Sequence, residues 1–262
     1  MEPQLVVALA LAVLVGVSLG MLGGGGSILT VPILTYVAGF EPQQAISASL
    51  FIVGVTSVVS VLHHARAGRV RWQTGFIFGV AGMAGAFAGG IVGGYIPGTI
   101  LMVLFAAMMV ATATAMIRGR KKVPAGSLHE PAKLPVVPII RDGFFVGIAA
   151  GLVGAGGGFL IVPALTLLGG LPIAVAVGTS LLVIAMQSSA GLVAHLLTVD
   201  LPWPTVLAFT GIAIAGSFVG AALAGRIPEP ALRRGFGIFV LAMGAFVLVQ
   251  EIPQLIPLMT GA

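Results

Sequence analysis

One module is written twice in this chain. Gly16, Gly20, Gly23, Gly25, Gly26, Leu29, Val31, Pro32, Leu34, Thr35 and Gly39 recur without a gap as Gly147, Gly151, Gly154, Gly156, Gly157, Leu160, Val162, Pro163, Leu165, Thr166 and Gly170, an offset of 131 residues (147 − 16). The same register pairs Ser49 with Ser180, Ser57 with Ser188, His64 with His195, Trp72 with Trp203, Gly85 with Gly216 and Ile96-Pro97 with Ile227-Pro228. Many secondary transporters are built by such duplication, with the substrate site where the copies meet.

Composition decides the solvent. Hydrophobic residues make up 58%, charged residues 7%, and mean hydropathy is +1.17, whereas an ordinary soluble domain carries roughly 25% charge. The chain is expected to be an integral membrane protein. Uncharged runs at 44–62, 73–96, 98–117, 173–196 and 204–225 each reach about the 20 residues a membrane helix needs. Nothing alternates with period two, which excludes a barrel. The first apolar run follows Met1-Glu2-Pro3-Gln4 without a basic flank, so it reads as mature chain rather than signal peptide. The absence of cysteine removes disulfides, thiolate metal sites and cysteine nucleophiles. A pI near 10.5 does not imply nucleic acid, because the basic residues sit between apolar runs, at 66–71, 118–141 and 226–234, as cytoplasmic loops require.

Those clusters set the topology. If each glycine-broken segment crossed once, the twelve Lys and Arg would divide nine to three between the two sides; as a hairpin it leaves three full crossings per copy and all twelve on one side. Asp142 to Gly154 is 13 residues, about 20 Å of helix, short of about 30 Å of hydrocarbon. An odd crossing number turns the second copy upside down. The expected fold is therefore an all-α polytopic membrane protein of two inverted-topology repeats, each a glycine-broken helical hairpin plus three transmembrane helices. Repeat 1 covers 4–117 (hairpin 4–40, spans 44–62, 73–96, 98–117), a cytoplasmic linker 118–140, and repeat 2 covers 141–250 (hairpin 141–170, spans 173–196, 204–225, 232–249). Together they form one transmembrane domain with both termini periplasmic.

Gly23 to Ser27 and Gly154 to Gly158 are too poor in side chains to continue a helix. They leave backbone amides free, which hydrocarbon tolerates only where protein or a wet cavity covers them. Each precedes a short helix whose free N–H groups and positive dipole end suit an anion. The substrate pocket is accordingly expected from the amides of Gly25, Gly26, Ser27, Gly156, Gly157 and Gly158. Ser49, Ser57, Ser180, Gln187 and Ser188 would complete it from the following spans. The same Ser and Thr side chains could instead bond their own helix backbone. Neither run is a nucleotide loop, since no G-K-[ST] or complete G-x-G-x-x-G follows. The rows Gly85/Gly89/Gly93 and Gly216/Gly220/Ala224 read as helix packing.

His64 and His195 are a candidate proton relay, set against a simpler role as interfacial polar residues. Trp72 and Trp203 read as interface anchors. All seven acids fall in loops or at span ends, so no carboxylate is expected inside the membrane. No metal or cofactor is implied.

The pattern G-x-x-x-G-x-x-G-x-G-G-x-x-x-x-x-P, at Gly16 to Pro32 and Gly147 to Pro163, followed by A-x-x-x-S-L at Ala45 to Leu50 and Ala176 to Leu181, resembles the TauE/SafE sulfite exporter family of bacterial membrane permeases. The resemblance implies a non-enzymatic transporter of small sulfur anions, such as sulfite, sulfoacetate or related organosulfonates, in the bacterial inner membrane, with export as the expected direction. The partners implied are a small anionic substrate, lipid, protons as a coupling ion, and compatibility with a homo-oligomer. A passive anion channel and a non-transporting membrane scaffold or assembly factor are the alternatives.

Overall fold

The computed structural model describes residues 3–118, 136–154, 157–168, 170–224 and 229–260. The described elements are helical: α1 (Pro3–Leu22), α2 (Gly25–Pro32), α3 (Pro42–Arg66), α4 (Trp72–Gly94), α5 (Gly98–Arg118), α6 (Val136–Val153), α7 (Gly158–Pro163), α8 (Ile173–His195), α9 (Trp203–Ala224) and α10 (Glu229–Thr260). Both short helices run into a π-helical turn, α2 at Ile33–Val37 and α7 at Ala164–Leu168. Each follows a proline, Pro32 or Pro163, which has no N–H for the regular ladder. Most of the expected linker, together with Arg226 and Ile227-Pro228, lies outside the described residues.

Five helices, α3, α4, α6, α8 and α9, are long and apolar enough to cross a membrane. The molecule is apolar outside and shelters polar groups within its core. Phe76, Phe87, Phe145, Leu207, Phe218, Ile238 and Val249 face outward, while Ser49, Thr56, Ser57, Gln187 and Ser188 are buried. Water would punish that arrangement and a bilayer favours it.

Close glycine contacts fix the helix directions. Along α4, Gly82 and Ala86 meet Gly147 and Gly151 of α6 in order, and Gly75, Gly79 and Gly82 meet Leu182, Met186 and Gln187 of α8, so all three run parallel. Likewise Gly16 and Gly20 of α1 press on the carbonyls of Ala213 and Ser217 in α9. In contrast, α3 and α8 run antiparallel, Gly54 facing Ser188 while Leu50 faces Gly191. α5 and α10 are antiparallel too, Ile117 meeting Gly237 and Met109 meeting Gly244. Gly85 and Gly89 back onto the Phe144 and Ile148 carbonyls, and Gly216 and Gly220 onto those of Val13 and Val17. These rows therefore serve the close helix packing expected of them.

At one end, the turn after α3 touches the start of α8, where the Arg71 N–H donates to Thr179 Oγ1 at 3.0 Å. The directions bring the end of α5, the start of α6, the end of α9 and the start of α10 to this same end, with Arg66, Arg69, Arg71, Arg118, Arg141 and Arg234. At the other end, Gln43 Nε2 donates to the Ile96 carbonyl (3.1 Å) and Gln44 Nε2 approaches that of Asp200 (3.5 Å).

Two expectations are corrected. The first arm of the second hairpin does not begin at 141. α6 starts at Val136 and has 18 residues, about 27 Å of helix, because Pro138 falls in its first turn, where a missing N–H costs nothing. The last helix does not stop near 249: α10 runs 32 residues, to Thr260.

Candidate functional site

The helix breaks come from glycine stereochemistry. α1 and α6 each end at a left-handed glycine, Gly23 (φ 68°) and Gly154 (φ 66°). Their N–H groups close the last turns onto the carbonyls of Leu19 (2.9 Å) and Ala150 (3.0 Å). Gly157, also left-handed (φ 67°), caps α7. The two breaks touch: a Cβ on Gly24 would collide with the backbone of Gly158, and one on Gly158 with Gly24. The opening amides of α2, from Gly25, Gly26 and Ser27, and that of Gly158 in α7, have no carbonyl a turn earlier in their own helix. Gly156 lies outside the described residues.

Two of the expected residues have their hydroxyls spent on the breaks. Ser27 Oγ donates to the Gly24 carbonyl (2.7 Å), and Ser180 Oγ lies 3.1 Å from the Gly23 carbonyl and 2.8 Å from that of Val177. The others are not spent. Ser49, Thr56, Ser57 and Ser60 on α3, with Gln187 and Ser188 on α8, are at most 2% exposed, and their polar side-chain atoms have no hydrogen-bond partner within the protein. Gln187 is wedged between Gly82 of α4 and the second break, its Oε1 3.2 Å from where a Gly157 Cβ would sit.

That pattern separates two roles the sequence left open. Ser47, Thr114, Ser189 and Thr210 return their hydroxyls to the carbonyl four residues back in their own helices, the ordinary resting place in a membrane helix. The hydroxyls of Ser49, Thr56, Ser57, Ser60 and Ser188 forgo it. Each orphaned group costs about 1–3 kcal/mol; several of them on two packed helices call for an explanation.

The histidines are not interfacial. His64 and His195 are 1% and 0% exposed. His64 Nε2 lies 3.3 Å from the Gly20 carbonyl and His195 Nε2 2.8 Å from that of Gly151. A carbonyl only accepts, so Nε2 carries the hydrogen in both. Each ring thus ties the long arm of its own hairpin to α3 or α8, one turn ahead of the break. Trp72 and Trp203 are half-exposed near helix starts, as interface anchors are.

Residues 8–247 match the family model described as Sulfite exporter TauE/SafE. The chain belongs to the TauE/SafE family. It is 36% identical over 259 residues to a probable membrane transporter protein of Xylella fastidiosa (strain Temecula1), covering 97% of this chain and 98% of the relative. A probable membrane transporter protein of Methanocaldococcus jannaschii is 29% identical over 206 residues, 75% of each chain, and YunE of Bacillus subtilis is 26% identical over 272 residues, 94% and 98%. No solved structure matches. The TauE/SafE family is thus one of probable membrane transporters, and this member carries a multi-pass helical architecture to suit.

One functional candidate in this TauE/SafE member escaped the sequence reading. Glu251, expected at a span end, lies within α10 and is 2% exposed. It accepts a 2.7 Å hydrogen bond from the Tyr36 hydroxyl, in the π-turn after α2. Gln250-Glu251 interrupts the apolar run, so hydropathy alone ends the helix there; only the helix length places the acid inside.

Proposed function

We propose that the protein is a secondary transporter that exports small sulfur-containing anions, such as sulfite, sulfoacetate or related organosulfonates, across the bacterial inner membrane. The observation that carries this reading is the set of orphaned hydroxyl and amide groups buried on α3 and α8, with Gln187 against the second of two touching helix breaks. Sulfite and sulfonate oxygens are acceptors. Ser49, Ser57 and Ser188 hydroxyls, Gln187 Nε2 and the amides of Gly25, Gly26, Ser27, Gly156, Gly157 and Gly158 are the donors offered to them, with Ser180 holding the first break in shape. The described arginines all lie toward helix ends at one face of the bundle, so main-chain dipoles supply the positive potential.

An inverted repeat is the proposed scaffold, divided between α5 and α6, where the sequence places a linker. Its support is reciprocal contact. Gly16 meets Ala213 as Gly147 meets Gly82, and Gly20 meets Ser217 as Gly151 meets Ala86, the same pairs with the copies exchanged. Such self-mapping belongs to a two-fold interface, and because the equivalent helices α3 and α8 are antiparallel, the axis lies in the membrane plane. With the described arginines at one end, the positive-inside bias assigns that end to the cytoplasm and both termini to the periplasm. His64 and His195 remain the proposed proton relay, each at the arm that would move when its side opens.

Counterflow of labelled sulfite in proteoliposomes tests the reading. A carrier shows saturable counterflow, and a passive channel shows flux without it. No flux, with no thermal stabilisation by sulfite in detergent, would leave the scaffold role.

A further inference from the structure

Gln187 differs in kind from the orphaned hydroxyls. A hydroxyl both donates and accepts and turns to suit its partner, whereas a carboxamide divides the roles between a nitrogen that only donates and an oxygen that only accepts. Gln187 is fully buried, and neither Nε2 nor Oε1 has a hydrogen-bond partner. Two glycines make room for it. A Cβ on Gly82 of α4 would collide with Nε2, and one on Gly157 would sit 3.2 Å from Oε1 and 2.8 Å from the Ala150 Cβ. The carboxamide therefore lies between the backbone of α4 and the left-handed cap of the second break. Whichever way the amide faces, it presents two N–H groups and one acceptor there.

A bare oxyanion satisfies only half of that inventory. Sulfonate and sulfite oxygens accept from Nε2, as they would from the pocket's hydroxyls and amides, but they offer nothing to Oε1. An acceptor left facing them stays buried and unpaired, and its dipole opposes their charge. The first copy avoids the conflict, for the residue one offset of 131 earlier is Thr56 (187 − 131), whose hydroxyl serves in either role. A ligand that brings a donor of its own meets both ends of Gln187.

We propose that Gln187 determines specificity, selecting small sulfonates that carry a hydrogen-bond donor, such as a hydroxyl, close to the sulfur: Nε2 donates to a sulfonate oxygen and Oε1 accepts from the ligand's own donor. Both contacts come from one planar carboxamide, so the two groups must lie close together on the ligand. The proposal deepens the sulfur-anion reading of this pocket and rests on it. A site built to pair a substrate hydroxyl discriminates strongly against the analogue that lacks it, because the buried acceptor is then left without a partner.

The test compares 2-hydroxyethanesulfonate with ethanesulfonate, which differ by one hydroxyl and carry the same charge. The concentration of each that halves counterflow of labelled sulfite in proteoliposomes is measured for the wild type, Q187M and Q187T, with thermal shift in detergent as a second readout of binding. Q187M keeps the length of the side chain and Q187T installs the residue of the first copy, so either variant that folds supplies the comparison. The wild type is expected to favour the hydroxy compound by at least about tenfold, and both variants to bring the two concentrations together. Absence of sulfite counterflow together with absence of any sulfite thermal shift would refute the sulfur-anion reading, and the proposal with it. A normal sulfite response with equal wild-type values for the two sulfonates overturns the proposal alone, since water or neighbouring hydroxyls then satisfy Oε1. A preference for the hydroxy compound that survives in Q187M or Q187T overturns it as well.

Discussion

Removing the orphaned hydroxyls should weaken the ligand without weakening the fold. Consider Ser57→Ala with Ser188→Ala, equivalent positions on α3 and α8 that are fully buried and lack protein partners. In the empty protein each substitution deletes an unsatisfied group whose burial costs about 1–3 kcal/mol and installs a better helix former. The only loss is a few van der Waals contacts. Stability should stay level or rise. At about 2–4 °C per kcal/mol for a chain of this length, Tm without substrate should be unchanged or up by a few degrees. The bound state responds oppositely. Two hydrogen bonds to an anion are worth about 1.5–3 kcal/mol each, and each 1.4 kcal/mol is tenfold, so sulfite affinity should fall roughly 10²- to 10⁴-fold. Saturating sulfite at 100 times Kd adds about 2.7 kcal/mol to a folded protein, so the stabilisation seen in wild type should vanish at the same concentration. Thermal unfolding in detergent with and without sulfite measures both halves. A double variant less stable than wild type by over about 1 kcal/mol, with its sulfite shift intact, would mean that these hydroxyls hold the helices together and bind nothing.

Gly157→Leu places a side chain on a left-handed residue, with Ala150 Cβ 2.8 Å from the new Cβ; it should abolish sulfite flux while membrane insertion persists, by proteoliposome uptake and membrane fractionation. Gly151→Leu drives a side chain into the Ala86 backbone and should instead cost folding itself, by several kcal/mol, read as lost monodisperse protein. His64→Ala with His195→Ala should flatten any pH dependence of transport, read from methanesulfonate flux across external pH. Single cysteines at Tyr95 and Asp200 should react with an impermeant maleimide added to intact cells, and one at Gly68 only after permeabilisation; the reverse pattern would invert the topology.

The parts of the fold that were legible in the sequence are those written twice. The 131-residue register and the basic clusters were enough to anticipate an all-helical membrane bundle, and the runs around Gly23 and Gly154 were enough to locate the breaks. What depends on position within a helix or on a distant partner was not legible. Val136 joins α6 because first-turn proline is harmless, a matter of position that composition cannot reveal. His64 looked interfacial beside Arg66, yet an αC-terminal histidine can turn inward when a neighbouring helix offers a carbonyl, and that carbonyl, Gly20, is 44 residues away. The free or bonded state of a serine is equally silent in sequence: Ser47 and Ser49 are two residues apart, and only the first bonds its own helix.

Duplication by itself would make a poor pump, because two identical halves exchanged by a two-fold axis give inward-open and outward-open states of equal energy. Direction then comes only from gradients, and control only from departures from symmetry. This chain has three such departures around its breaks. Ser180 binds the first break's carbonyl while its twin Ser49 has no partner; Gln187 stands where the first copy has Thr56; and the Tyr36–Glu251 clamp faces only one hairpin. Two of these are differential hydrogen bonds, each worth about 0.5–1.5 kcal/mol, and 1.4 kcal/mol changes a two-state ratio tenfold. Together they shift the ratio of access states roughly five- to a hundredfold. The clamp is the one among them that joins a hairpin to the last helix, so Tyr36→Phe should alter the bias: the accessibility of a cysteine at Ser49 relative to one at Ser180 should change roughly two- to tenfold. If that ratio in Y36F equals that of wild type, the asymmetry that sets direction lies elsewhere in the bundle.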